Sequence, residues 1–242
     1  MTYRRVSESG IGVSSICLSG YRSIGLYRAL IGYYYRIIEP GLRRKGGVNG
    51  AERGCEWCGR CVRKVLVTGA KGFIGKNLSL LLKEQGKYIV TEVDRDTSVT
   101  ELNEALTQTD FVFHLAGVNR PKNDTEFQEG NVDLTSHIVT VLKASGRKVP
   151  LMISSSTQAV SDNAYGASKA EAEKVVETYG QETGSPYFIY RFPNVFGKWC
   201  RPNYNSFVAT FCHNILNDIE INIHDHNAPV TLVYIDDVCR SM

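Results

Sequence analysis

The chain has 242 residues, of which 43% are hydrophobic and 22% are charged, and its formal net charge is +3. These values are typical of a folded protein with a sizeable core, and they exclude a collagen-like or highly charged disordered chain. The most apolar run near the N-terminus (23–38) is too short and too charged for a membrane span, and the N-terminus lacks the pattern of a secretory signal. We therefore expect no membrane association.

The first 61 residues differ from the rest of the chain in composition. They carry ten basic and four acidic residues and 11 of the 22 glycines, whereas residues 62–242 have a net charge of −3. We hypothesise that residues 1–61 are an upstream extension, disordered or absent from the native protein, with Val62 as the original start. Their basic charge does not predict a nucleic-acid partner, because no recognisable binding module accompanies it.

Metal binding is not predicted, although two motifs contain metal-ligand residue types. "CEWCGRC" (55–61) has the spacing of half a zinc or iron–sulfur site, but Cys17 is the only other thiol in that segment. "HDH" (224–226) is more typical of a surface segment. The remaining cysteines are scattered, which favours a reducing compartment such as the cytoplasm: Cys200, Cys212 and Cys239.

The segment 64–86, "KVLVTGAKGFIGKNLSLLLKEQG", predicts a short buried strand, a glycine turn and an amphipathic helix. Its glycines follow the pattern G-x-x-G-x-x-G. Gly69 permits a tight turn, Gly72 lets the backbone approach a pyrophosphate, and Gly75 lets the helix pack closely on the strand. In this setting the pattern indicates a dinucleotide site at the helix N-terminus.

Four further apolar runs predict strands, and helical patterns at 132–144 and 164–180 separate some of them. Alternation of strands and helices predicts an α/β fold with a Rossmann-type, doubly wound parallel sheet and ligands at the strand carboxyl ends. His114 is expected to be a core histidine, and Asn131 a helix cap. The predicted strands cover 87–97, 110–118, 149–158 and 186–197.

The end of the second strand leaves the choice of dinucleotide open. Asp94 could bind the adenosine ribose hydroxyls and favour NAD, whereas the adjacent Arg95 could bind a 2′-phosphate and favour NADP. Both residues are present, so this motif alone does not decide.

Tyr165 and Lys169 are four residues apart on a predicted helix and therefore share a face. A nearby ammonium lowers the pKa of a phenol toward the range useful for proton transfer. Ser156 lies in the preceding predicted strand and can converge with them where a nicotinamide would lie. We expect Ser156 to polarise a carbonyl, Tyr165 to protonate its oxygen as hydride reaches its carbon, and Lys169 to hold the nicotinamide ribose.

The motifs "TGAKGFIG", "HLAG", "SSS", "YGASK" and "RFPNVFG" resemble those of the extended short-chain dehydrogenases/reductases, from about residue 64 to 242. Segments 116–121 and 192–215 resemble more specifically the bacterial capsular-polysaccharide reductases. That resemblance implies an NADPH-dependent reduction of the C4 ketone of UDP-2-acetamido-2,6-dideoxy-L-arabino-hexulose, and it favours NADP over NAD. It also implies that "TLVYIDDV" (231–238) is a late strand and turn with a structural role.

The resemblance implies a role for each matching residue. Ser156, Tyr165 and Lys169 form the catalytic set, and the last two also contact the cofactor. Sugar-nucleotide contacts are implied for Asn119, Ser156, Arg201, Asn203 and Asn205. Cofactor contacts are implied for Gly69, Gly72, Phe73, Ile74, Gly75, Asp94, Arg95, Leu115, Ala116, Gly117, Pro193 and Asn194.

Two departures and two alternatives accompany this interpretation. The similar reductases continue through a full substrate lobe and a cupin domain, so residues 62–242 are expected to be a partial enzyme domain, and residues 1–61 have no counterpart.

An epimerase of the same family, or a non-catalytic cofactor-binding fragment, is the alternative function. A dehydratase is disfavoured because Thr157 and Gln158 stand where an acid/base pair is needed. The oligomeric state is open, with a homodimer as the candidate.

Overall fold

The structure is a computed structural model that describes residues 14–17, 63–123, 125–223, 225 and 227–242. Its strands are β1 (Ser14–Cys17), β2 (Arg63–Thr68), β3 (Tyr88–Val93), β4 (Phe111–His114), β5 (Leu151–Ser156), β6 (Tyr187–Phe192), β7 (Asn194–Phe196) and β8 (Pro229–Tyr234). Its helices are α1 (Phe73–Glu84), α2 (Val99–Gln108), α3 (Thr125–Phe127), α4 (Leu134–Ala144), α5 (Ala164–Thr183), α6 (Phe207–Leu216) and α7 (Ile235–Ser241).

The main sheet contains five parallel strands in the order β3-β2-β4-β5-β6. Counted along the chain, this is the 2-1-3-4-5 order of a doubly wound sheet. The winding direction reverses between β2 and β4, so a crevice forms at their carboxyl ends. The prediction of an α/β fold with a doubly wound parallel sheet is confirmed.

Helices cover both faces of this sheet because side chains along a strand alternate between its faces. In β2, Leu66 packs in one core cluster with residues of α2, α4 and α5. Its neighbours Val65 and Val67 pack in a second cluster with residues of α1 and α7. The strand is therefore buried on both faces, as its unbroken apolar run predicts.

The predicted fifth strand divides at Pro193 into two strands that belong to different sheets. β6 pairs with β5 in the main sheet, whereas β7 pairs in parallel with β8 in a sheet of order β1-β8-β7. Proline has no N–H to donate to a ladder, so the pairing breaks there. The switch brings Pro193 and Asn194 to the carboxyl end of the main sheet.

The helix predicted over 132–144 is preceded by less regular helical turns. A π-helical segment, Gln128–Asp133, joins α3 to α4. Asn131 lies inside this segment, so its expected role as a helix cap is wrong. Its side chain instead bonds to both backbone groups of Val118, through Val118 N–H (2.9 Å) and Val118 C=O (3.1 Å).

The late strand expected within 231–238 is present, but a helix takes the place of the expected turn. β8 stops at Tyr234, and the following residues form α7, whose first turn carries Asp236 and Asp237. Acidic residues stabilise a helix N-terminus, which explains why a helix rather than a turn follows. The Tyr190 hydroxyl donates to the carbonyl of Ser241 (2.6 Å) and fixes the end of α7 to β6.

Only four of the first 61 residues are described, and they form β1, which pairs antiparallel with β8. The other residues of the segment 1–61 lie outside the described residues, and the hypothesis about that segment falls on them. The "CEWCGRC" motif and both histidines of "HDH" also lie outside the described residues. Within the described ranges, no helix has the length and apolar character needed to cross a bilayer.

Candidate active site

The glycine turn between β2 and α1 packs directly against the segment that follows β4. Gly69 has a φ of 68°, and a Cβ there would stand 2.8 Å from the backbone nitrogen of Ala116. Gly72 precedes the first turn of α1, which has neither a side-chain cap nor an acidic residue. The N–H groups of this turn therefore lack side-chain acceptors, and a helix end of this kind suits a pyrophosphate.

Asp94 follows β3 and is bound to the glycine turn. Its carboxylate accepts hydrogen bonds from the backbone N–H groups of Lys71 (2.7 Å) and Arg95 (2.9 Å). The side chains of Lys71 and Arg95 begin at this corner, and Lys71 forms an exposed ion pair with Asp96. The corner offers both a carboxylate suited to ribose hydroxyls and basic groups suited to a 2′-phosphate.

Ser156 and Tyr165 both line the cleft at the carboxyl end of β5. Ser156 is the last residue of β5, and its oxygen accepts the backbone N–H of Gln158 (3.1 Å). Tyr165 lies in the first turn of α5, a helix capped by the Asn163 side chain, which accepts the N–H of Gly166 (2.7 Å). The cap and the strand end together fix the two hydroxyls.

Lys169 lies one turn further along α5 and is 5% exposed. Its ammonium is 6.0 Å from the centre of the Tyr165 ring and donates a hydrogen bond to the carbonyl of Ser154 (3.2 Å). A Cβ on Gly117 would stand 2.9 Å from this ammonium and 2.9 Å from the Asn131 side-chain oxygen. Glycine at position 117 therefore leaves the room that Lys169 occupies.

The pKa of the Tyr165 phenol is shifted in the opposite direction to the one expected from the sequence. Burial lowers the pKa of Lys169 to about 8, and the charge of Glu173 works against this shift. Burial raises the pKa of the Tyr165 phenol above its ordinary value, and the Ser156 hydrogen bond only partly offsets it. The expected lowering of the tyrosine pKa by Lys169 is therefore wrong for this state, because burial is the larger effect and the ammonium is bonded to Ser154.

His114 is a satisfied core residue, as predicted. Burial lowers its pKa to about 3, so the ring is neutral. The Thr135 hydroxyl donates to the Asn131 carbonyl (2.5 Å) and so accepts from His114 Nε2 (3.0 Å). His114 Nδ1 then accepts from the Thr68 hydroxyl (2.7 Å), whose oxygen accepts the N–H of Ala116 (3.2 Å). This chain of hydrogen bonds connects the glycine turn to the π-helical segment.

The loop 198–206 forms the other wall and has an unusual backbone. Trp199 and Asn203 have φ values of 69° and 55°, and a positive φ is uncommon for a residue with a large side chain. The Asn77 side chain donates to the carbonyl of Lys198 (3.0 Å), which ties the loop to α1. The Arg120 guanidinium bonds to the Asn203 carbonyl at 3.4 Å.

These features surround one cleft with a volume of about 1360 Å³. Every residue assigned from the sequence to cofactor, catalysis or sugar lines it, from Gly69 to Asn205. Residues that sequence reasoning missed line it too: Lys71, Arg120, Gln158, Trp199 and Tyr204. The sequence could have indicated Arg120 as a cleft residue, because it lies in the "AGVNRP" segment next to the assigned Asn119.

Comparison with known proteins assigns the fold. Residues 65–242 match the model of the NAD dependent epimerase/dehydratase family. The chain belongs to this family. Within the family, it is 53% identical over 178 residues to a UDP-2-acetamido-2,6-beta-L-arabino-hexul-4-ose reductase of Pseudomonas aeruginosa, a match covering 74% of this chain and 48% of that protein.

Two solved family structures are also similar. The capsular polysaccharide assembling protein CapF of Staphylococcus aureus has 46% identity and a TM-score of 0.66, over 73% of this chain and 48% of CapF. UDP-glucuronic acid 4-epimerase of Bacillus cereus, solved with UDP-glucuronic acid and NAD, has 23% identity and a TM-score of 0.64, over 73% and 71%. The chain thus spans about half the length of the two more similar relatives.

Proposed function

We propose that the protein reduces the C4 ketone of a UDP-2-acetamido-2,6-dideoxy-hexos-4-ulose with NADPH, in the synthesis of nucleotide sugars for capsule or O-antigen. The observation that carries the proposal is the placement of Ser156, Tyr165 and the buried Lys169 in one cleft, in a chain 53% identical to a reductase acting on such a ketone. The compartment that fits this role is the cytoplasm.

The chain's own groups have separate roles in this reaction. Ser156 and Tyr165 donate hydrogen bonds to the ketone oxygen and polarise the carbonyl, and Tyr165 then gives its proton to that oxygen. A raised pKa keeps the phenol protonated, which a proton donor requires. The Lys169 ammonium stabilises the phenolate left after transfer. When bound, the nicotinamide supplies the hydride that reaches the ketone carbon.

The residues present fit a dinucleotide. The uncapped first turn of α1, from Phe73 to Gly75, suits the pyrophosphate, and Leu115, Ala116 and Gly117 line the neighbouring wall. Pro193 and Asn194 would contact the nicotinamide. We favour NADP because two basic side chains, Lys71 and Arg95, begin beside Asp94, although Asp94 would also accept the ribose hydroxyls of NAD.

Charged and polar groups of the opposite wall would bind the sugar nucleotide. Arg201 can bind a diphosphate through paired, charge-assisted hydrogen bonds. Asn119, Asn203 and Asn205 line the same part of the cleft and offer amide groups to the sugar and the uridine. A homodimer remains the candidate assembly.

Titration with NADPH and NADH, followed by absorbance of the nicotinamide with the 4-keto UDP-sugar, tests the proposal. We expect tighter binding of NADPH and its stoichiometric consumption. Binding without consumption would instead support a non-catalytic fragment, and no binding would refute the assigned cofactor site.

An epimerase is the second candidate, because the family includes enzymes of that kind. An epimerase retains its cofactor over a cycle, so it would interconvert UDP-sugar epimers with no net loss of nicotinamide absorbance. Chromatography of the products from UDP-sugars lacking a ketone would reveal that activity.

A further inference from the structure

Glu173 is the only buried carboxylate among the described residues, with an exposure of 5%. It lies in α5 one helical turn after Lys169, on the face that packs against the main sheet. A buried carboxylate is costly unless it is paired and hydrogen-bonded, so its partners indicate what it does there.

Two strands of the main sheet hold this carboxylate. The Ser155 hydroxyl of β5 donates to Oε1 at 2.5 Å. Arg191 of β6 donates to both oxygens, through Nε to Oε1 at 2.8 Å and through Nη2 to Oε2 at 2.6 Å. Ser155 and Arg191 are register partners in the sheet, so the Glu173 carboxylate links α5 to both strands of the β5–β6 pair.

The residues of this contact are close in sequence to the proposed reacting groups. Ser155 precedes Ser156, Arg191 is two residues before Pro193, and Glu173 is one turn from Lys169. The charge of Glu173 also favours the ammonium of Lys169, which is otherwise disfavoured by burial. The other titratable groups that face Lys169 or Glu173 are the neutral His114, the protonated Tyr165, and, through Arg191, Glu177.

We propose, on the basis of the reductase function above, that Glu173 is a positioning residue for the reaction: through Ser155 and Arg191 it fixes α5 on β5 and β6, and it sets its carboxylate one helical turn from Lys169. The residue acts through Lys169 and Ser155 and does not touch the substrate. A purely structural ion pair would affect the stability of the fold but not the ionisation of Lys169.

The sign of the pH effect follows from this arrangement. Lys169 is charged below its pKa of about 8 and loses its charge as the pH rises through that value. Glu173→Gln removes the anion and lowers the pKa of Lys169 further. The fall in kcat at alkaline pH should therefore begin about one pH unit lower in this variant.

Three variants separate charge from packing. Glu173→Gln keeps the size and one acceptor, and the Arg191 left behind can be hydrated because its side chain is 39% exposed. Glu173→Asp keeps the charge but is one methylene shorter, so it should reduce kcat while leaving the alkaline limb near that of the wild type. Glu171→Gln removes one charge from the exposed face of the same helix and is the matched control.

The measurement is kcat against pH with NADPH and the 4-keto UDP-sugar. In parallel, acetylation of Lys169 by acetic anhydride is followed against pH by mass spectrometry. Acetylation reports the ionisation of the lysine without turnover, and Glu173→Gln should shift its midpoint down by about one unit. A midpoint and alkaline limb equal to those of the wild type and Glu171→Gln would overturn the inference.

Failure of the proposed function gives a different result. If the wild type reduces no ketone at any pH, the function is refuted, and the acetylation midpoints still decide the role of Glu173.

If Glu173→Gln does not fold, Ser155→Ala replaces it, because this variant removes one hydrogen bond to the carboxylate and no charge. We then expect a three- to tenfold lower kcat with unchanged NADPH affinity, because a lost hydrogen bond costs about 1 kcal/mol. An unchanged kcat with a lower Tm would overturn the positioning role.

Discussion

Replacement of Gly75 by alanine tests the close packing of α1 on the turn that precedes it. A Cβ on Gly75 would overlap the carbonyl oxygen of Gly69 and stand 2.8 Å from the Cα of Ala70. The oxygen contact would be 2.1 Å, and Cβ atoms essentially never come closer than 3.0 Å to a neighbour, so α1 must move by about 0.9 Å or more. The obstacle is backbone, which cannot rotate away as a side chain could.

Overpacking of this kind costs about 1–3 kcal/mol. In a domain of this size each kcal/mol lowers Tm by about 2–4 °C, so we expect Gly75→Ala to lower Tm by roughly 2–12 °C. Displacement of the first turn of α1 should also weaken NADPH binding at least tenfold, because its N–H groups would no longer face the pyrophosphate.

Gly72→Ala is the matched control on the same turn. A Cβ on Gly72 would meet only the Gly69 carbonyl oxygen, at 3.0 Å, and its φ of −74° suits any residue. We expect a fall in Tm of no more than about 3 °C from the less favourable N-cap. NADPH affinity should nevertheless fall about tenfold, because the methyl group would point into the cleft.

Thermal unfolding by circular dichroism and titration of NADPH fluorescence separate the two effects. Equal Tm values for Gly75→Ala and Gly72→Ala would refute the packing argument. NADPH affinity of Gly72→Ala equal to that of the wild type would show that the pyrophosphate does not lie at this turn.

Three other substitutions give distinct results. Tyr165→Phe removes the proton donor and should lower kcat about 10²–10⁴-fold with NADPH affinity within twofold; equal losses of both would indicate a structural residue. Arg95→Ala should weaken NADPH more than NADH, and an unchanged ratio of Kd values would remove Arg95 from the 2′-phosphate site. Tyr179→Phe removes the buried hydrogen bond from the Tyr179 hydroxyl to the Val149 carbonyl (2.7 Å), and this loss costs about 1–2 kcal/mol. We expect Tm to fall while kcat is retained. A lower kcat at unchanged Tm would contradict this.

The sequence was sufficient for the main sheet and for bringing the assigned residues together in one cleft, although it missed others such as Lys71 and Arg120. Apolar runs bounded by glycine turns marked each of its five strands, and parallel strands necessarily bring their carboxyl ends to one edge. The residues that follow those ends, such as Asp94, Ala116 and Ser156, therefore had to meet. The glycine pattern added the position of α1.

Other features depend on tertiary packing that a local pattern does not encode. The change of sheet at Pro193 requires β8 as a partner, and β8 is separated from β7 by more than 30 residues. The π-helical turn around Asn131 is stabilised by bonds to Val118, which belongs to another segment. The ion pair of Glu173 with Arg191 left a signal only at Arg191, which is the one charged residue of β6, and the sequence alone did not pair the two.

The protonation state of Tyr165 was the clearest error, and its cause is physical. The spacing of Tyr165 and Lys169 predicts proximity of charge, which lowers the phenol pKa, but it says nothing about burial, which raises it. Only the packing of α5 shows that burial is the larger effect in this state. An i,i+4 pair therefore identifies the participants in a proton transfer more reliably than their pKa values.

Pro193 also has a consequence for how such proteins can diversify. The cleft residues before it lie on the main sheet or on the loops and helices that follow its strands, whereas the loop 198–206 follows a strand of the smaller sheet. Insertions or exchanges in that loop leave the hydrogen bonds of the five parallel strands intact. Under the proposed function, exchange of this one loop would change the sugar-binding wall and leave the cofactor-binding wall in place, so the proline marks a natural junction for grafting loops between relatives.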